Sequence, residues 1–171
     1  STYFDDKKYA LLIIDKKASN SDKIPASTVG VLGFSLFASN KYYFKNKDNN
    51  LNLKEITKFI RDKNSNKLAF GFTSQVWEEL NNSKFILKKN KIKFNNINLL
   101  HGGGWKKLHN KKITSEAFSK SLKKDYGFSN IINYYGSVEQ TGSIFFQCKK
   151  NNYFHTSIFS DLIVRNKNFE S

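Results

Sequence analysis

The segment "YALLIID", residues 9 to 15, carries apolar side chains at odd and even positions alike. A strand with one face in water would alternate, so this run predicts a short strand buried on both faces, as parallel strands are. Residues 52 to 63 follow a different rhythm. Asn52 is placed to cap a first turn, Glu55 stands at the capping-box position, and Leu53, Ile56, Phe59 and Ile60 share one helical face. "KLAFGFTS", 67 to 74, reads as a strand ending on a Thr-Ser cap, and "QVWEELNNS" as a helix with Val76, Trp77 and Leu80 turned inward. "INLLH", 97 to 101, is another strand.

Further along, "TSEAFSKSLKKDYGF" opens on Thr114 or Ser115 as cap and puts Ala117, Phe118, Ser121 and Leu122 on a stripe. It stops at Gly127, which suits a left-handed helix end. "NIINYYG", 130 to 136, is an apolar strand with a glycine stop. "SIFFQC" and "DLIVRN" are further strands, with a turn at "KKNN" between them. Between Val29 and Phe44, glycines at 30 and 33 interrupt an apolar run that periodicity leaves open between strand and helix. The alternation of strands and helices predicts an α/β fold, a mostly parallel sheet flanked by helices and followed by additional strands. Ligands in such sheets sit at the carboxyl ends of the strands.

Charge adds a second consideration. The 29 Lys+Arg against 14 Asp+Glu give a formal net charge of +15, so an anionic partner has to be weighed. The lysines are spread along the chain rather than gathered into one tract, which fits a generally basic surface better than a nucleic-acid face. The single cysteine excludes an internal disulfide framework and a thiolate metal cluster, and a reducing cytoplasm is the expected setting. No apolar run approaches the ~18 residues of a membrane span. The opening "STYFDDKK" is not a signal peptide, and a chain without Met that begins at Ser1 permits a piece of something longer.

Candidate chemistry gathers at two strand ends. In "NLLHGGGWKKL", 98 to 108, Gly102, Gly103 and Gly104 let a flat or charged ligand approach bare backbone. Trp105 is placed to stack or to roof a pocket, and Lys106 and Lys107 add positive charge. A plain glycine turn explains this loop equally well. In "NYYGSVEQTGS", 133 to 143, Glu139 stands beside the hydroxyls of Ser137 and Thr141, the groups that Mg²⁺ and a phosphate use together. Tyr134 or Tyr135 offers a face for a base.

The pair "GGG" and "YGSVE" resembles the adenylate-forming enzymes, with their glycine-rich adenine loop upstream of a tyrosine-glycine-x-threonine-glutamate motif. More narrowly, "LLHGGGWKKL", "VEQTGSIFFQC" and "YFHTSIFSDLIVR" resemble the acyl-protein synthetase family, the long-chain-fatty-acid luciferin-component ligases. The likeness is clear over residues 67 to 165 and loose over the first 60. It implies ATP and Mg²⁺ as cofactors, a fatty or other carboxylic acid as substrate, and an acyl-accepting protein such as an acyl reductase as partner. It also implies a role for each matching position. Gly102, Gly103 and Gly104 would line the adenine, with Trp105 beside them; Tyr135, next to Gly136, would pack on the base or ribose; Ser137 would lie by the α-phosphate, with Ser137 or Thr141 replacing the hydroxyl that Val138 lacks; and Glu139 would hold the metal. Lys106 as an added charge extends the motif, and a plain surface lysine is the equal alternative.

Departures accompany the resemblance. Val138 stands where the superfamily has Thr, no Ser/Thr/Gly-rich phosphate loop precedes, and the small mobile C-terminal domain does not follow. Residues 1 to 171 are therefore expected to be a single domain, an incomplete segment of the large adenylate-forming domain, inactive alone. His155 is either a group that orients the substrate carboxylate or adenylate, or strand-edge packing. Cys148 is expected to close a buried strand as a small hydrophobe, and His101 and His109 to be solvated loop residues. The alternatives to a ligase are a basic binding module for nucleic acid or an acidic partner, separable by salt dependence, and a catalytically inactive relative.

Overall fold

The computed structural model of the chain describes residues 8–17, 26–64, 66–105, 113–136, 144–148, 150–151, 153–156, 163 and 165–168. Its elements run β1 (Tyr9–Lys16), α1 (Ala26–Leu36), β2 (Ala38–Lys45), α2 (Leu53–Ile60), β3 (Lys67–Phe72), α3 (Thr73–Lys89), β4 (Asn98–Gly102), α4 (Ser115–Tyr126), β5 (Asn130–Gly136), β6 (Ile144–Gln147) and β7 (Phe154–His155). The strands form one mixed, mostly parallel sheet in the order β2-β1-β3-β4-β5-β6-β7. The chain divides into two compact units, Ser1–Ile132 and Asn133–Ser171.

In the first unit β1 pairs in parallel with both β2 and β3, and β3 with β4. Tyr9 to Ile14 are all buried, as a strand apolar on both faces requires. Ala10, Leu12 and Ile14 meet Ile56 and Phe59 of α2, Val76, Leu80 and Leu87 of α3, and Phe118, Leu122 and Tyr126 of α4 in one core. Leu11 and Ile13 stand in register with Leu68 and Phe70 on the opposite face. There Phe34 of α1 lays its ring 4.8 Å from that of Phe70. The undecided run 29 to 44 is thus both things, the end of a helix and then a strand.

The helix ends follow their capping chemistry. Asn52 accepts from the Glu55 N–H at 3.2 Å, but the box stays half closed. The Asn52 N–H donates to the Phe44 carbonyl at 2.8 Å, and the Glu55 carboxylate takes Lys58 at 2.9 Å. Thr114 accepts from the Ala117 N–H at 3.1 Å, and Gly127 closes α4 at φ 84°. α3 runs on past Ser83 to Lys89, because Val76, Leu80, Ser83 and Leu87 continue one buried stripe through the polar "NNS".

The second unit is an antiparallel meander. Tyr134, Tyr135 and Gly136 pair with Phe146, Phe145 and Ile144, and Phe146 and Gln147 pair with His155 and Phe154. The partner of β6 is therefore Phe154–His155 rather than "DLIVRN". Of that stretch, residues 161, 162 and 164 lie outside the described residues, and 163, 165 and 166 are not in a strand. A Cys148 N–H to Tyr153 carbonyl bond of 2.7 Å closes the turn early and sets this pairing. No helix among the described residues is long and apolar enough to cross a membrane.

Candidate functional site

The glycine loop leaves β4 at its carboxyl end, inside the first unit. Gly103 has φ +73°, a conformation that side chains rarely adopt, and a Cβ there would come 3.2 Å from the Phe72 ring. Gly104 differs. A Cβ at Gly104 would meet nothing within 4 Å, so its bareness is not demanded by packing. Gly103 and Gly104 are exposed, while Gly102 is buried.

Beneath the loop sits a group the sequence reading misplaced. His101 is no solvated loop residue: β4 runs on to Gly102, so His101 is not the strand's end, and it is buried at 7% exposure. Its ring centroid is 4.7 Å from that of Phe118. Burial pushes its pKa down to about 4, so the imidazole is neutral near neutrality. Its Nδ1 lies 3.0 Å from the Thr73 hydroxyl, which also reaches the carbonyls of Gly102 at 3.0 Å and Gly103 at 2.8 Å. Thr73 was expected to cap α3, yet the cap position is Phe72 with no side-chain bond, and the Thr73 hydroxyl serves the loop instead. The signal available in the sequence was a hydroxyl and a histidine at the ends of two strands.

Trp105 is half-buried and set in an aromatic cluster. It stands edge-on to Phe118 at 5.5 Å and to Trp77 at 6.2 Å, so α3 and α4 together anchor the far side of the loop. Lys106 and His109 lie outside the described residues.

At the end of β5, in the second unit, Tyr135 is 60% exposed, with its ring 6.0 Å from Phe145, and Gly136 is exposed too. Tyr134 is half-buried, and burial raises its phenol pKa. Ser137, Glu139 and Thr141 lie outside the described residues. His155 is exposed on β7, opposite Phe146. Cys148 does not close a buried strand. It follows a β6 with no fully buried residue, and its Sγ accepts from the Lys150 N–H at 3.4 Å. Backbone N–H groups of Lys150 and then Asn151 lower its thiol pKa. Gly102 to Trp105 thus form one contiguous group, and Tyr135, Gly136 and His155 share the meander. No group of three or more His, Cys, Asp or Glu among the described residues is placed to hold a metal.

A shallow cleft elsewhere in the first unit, of about 470 Å³, is lined by residues that include Asn40, Tyr42, Arg61 and Asp62. Its carboxylate is already engaged. Asp62 accepts from Tyr42 at 2.6 Å and from Asn40 at 3.0 Å, and despite burial, which raises it, these bonds hold its pKa below the usual value.

A mostly parallel β-sheet flanked by helices, with a glycine loop leaving the carboxyl end of β4, defines an α/β protein of the class in which ligands bind at the carboxyl ends of strands. The family model for acyl-protein synthetase, LuxE, matches residues 2–171, and the chain belongs to that family. The match includes the first 60 residues, where the motif likeness was loose. Neither among curated proteins nor among solved structures does any match the chain. Membership implies acyl-protein synthetase activity in general terms: ligase chemistry that uses ATP, acts on fatty acids and passes the acyl group to a partner.

Proposed function

We propose that the full-length protein activates a carboxylic acid as its adenylate and transfers the acyl group to a protein cysteine. A carboxylate oxygen attacks the α-phosphorus of ATP, the bond to the β-phosphate bridge breaks, and pyrophosphate leaves. The sulfur of an acceptor thiolate then attacks the acyl carbonyl, the bond to the AMP oxygen breaks, and AMP departs. The first step brings an anion to a polyanion, so positive charge must be supplied at the phosphates.

In this reading Gly102, Gly103 and Gly104 receive the adenine, Tyr135 and Gly136 the base or ribose, and Ser137 and Thr141 the α-phosphate. Glu139 holds Mg²⁺, which supplies charge neutralisation when bound. His155 orients the acid, and Lys106 adds charge. The observation that carries the reading is the glycine loop itself, bent by a positive φ at Gly103 and open above Gly104. A flat ring needs that kind of surface.

The test is acid-dependent exchange of labelled pyrophosphate into ATP by the full-length protein, wild type against Glu139→Gln. Exchange should fall by a factor of about 100 or more in the variant, on the scale of losing a charge-stabilising group. Undiminished exchange removes Glu139 from the metal site.

A further inference from the structure

We propose that Thr73 and His101 are a positioning pair for the nucleotide loop, turning the Gly102 and Gly103 carbonyls inward so that the loop's outer face stays open to the flat base of ATP. This rests on the ATP reading above and deepens it by two residues.

Proton counting gives the pair its direction. The Thr73 hydroxyl has one hydrogen and three polar neighbours, at 3.0, 3.0 and 2.8 Å. Two of these are carbonyl oxygens, which only accept, so the hydroxyl proton goes to them. Contact with the imidazole is then a hydrogen bond only when Nδ1–H of His101 donates into the hydroxyl oxygen. The order runs imidazole to hydroxyl to carbonyl, and it fixes the Nδ1–H tautomer. Burial against Phe118 keeps the ring neutral and locks its plane.

The consequence lies on the other side of the loop. Gly102 ends the ladder with β3, but the carbonyl of Gly103, one residue past it, is free to point either way, since no side chain selects for it. An outward carbonyl would present partial negative charge to the phosphates of ATP and to the lone pairs of adenine. Drawn onto Thr73, both carbonyls point into a buried site, where Thr73 itself is 6% exposed. What remains outward is the bare surface of Gly103 and Gly104, with open space above Gly104.

The experiment uses the full-length protein titrated with ATP at equilibrium, alongside thermal unfolding and KM values for ATP and acid. Thr73→Val keeps the shape and removes the hydroxyl; it should weaken ATP binding by about tenfold or more and raise the KM for ATP, leaving the KM for the acid unchanged. Thr73→Ser should stay within about threefold of wild type, which separates positioning from loss of packing. His101→Asn, which keeps a donor near the Nδ1 position, should behave like Thr73→Ser, and His101→Phe like Thr73→Val. Imidazole ¹⁵N shifts should show the Nδ1–H tautomer at neutral pH. An Nε2–H tautomer, or a Thr73→Val variant that loses thermal stability yet binds ATP as wild type does, overturns the positioning role alone. A wild type that binds no ATP overturns the nucleotide reading itself and the inference with it.

Discussion

The ends of β4 and β5, one in each compact unit, carry the two groups of candidate residues, and they are made differently. The end of β4 is held from below and from the side, by Thr73 and His101 under the glycines and by Trp77 and Phe118 against Trp105. The end of β5 presents an exposed tyrosine on a meander in which few side chains are fully buried. One strand end is shaped by the protein before any ligand arrives. The other is an exposed strand end with little packed around it. Substitution of the packed groups at the first should therefore cost folding free energy, and substitution at the second chiefly affinity.

The largest effect is expected at Phe118, which touches both His101 and Trp105. Phe118→Ala should cost about 3–5 kcal/mol of stability, read from denaturant midpoints, and should loosen the glycine loop with it. Acid tests the same region without mutation. The His101 pKa is lowered from 6.5 to about 4 in the fold, so between those values the unfolded chain binds the additional proton. Stability contributed by the neutral buried ring is complete above the unfolded value, declines as pH falls through that window, and is lost below the folded value. The decline amounts to roughly 3 kcal/mol, and unfolding of His101→Asn should lack that slope.

Gly103→Ala comes next, at about 1–2 kcal/mol, because its positive φ penalises any Cβ and the Phe72 ring must also give way. Gly104→Ala, with nothing near its Cβ, should leave stability unchanged while weakening ATP binding. Tyr135→Ala should be as mild, within about 0.5 kcal/mol in unfolding, with its effect confined to the KM for ATP. A Tyr135→Ala variant as unstable as Phe118→Ala would erase the contrast between the two strand ends.

How far the sequence revealed this depended on where each signal lay. β1, α2 and α4 were legible because burial on both faces, an Asn cap and a glycine stop each leave a local mark. The run 29 to 44 was not, since glycines at 30 and 33 blur both periodicities and only tertiary pairing chooses. α3 was cut short because "NNS" resembles a stop, although Asn81 answers its own helix by donating to the Trp77 carbonyl at 2.7 Å. Thr73 and His101 are 28 residues apart, so their bond exists only once β3 and β4 lie side by side. Motif resemblance located the glycines, but nothing in a linear motif says what holds them.

The chain contains two tryptophans, and both belong to the ring cluster beside the glycine turn, 6.2 Å from each other. Excited at wavelengths that the eight tyrosines do not absorb, the tryptophan emission of these 171 residues is therefore an optical signal from that one neighbourhood. A nucleotide settling on the turn would change the colour or brightness of the protein's own light, and no dye would have to be attached to see it.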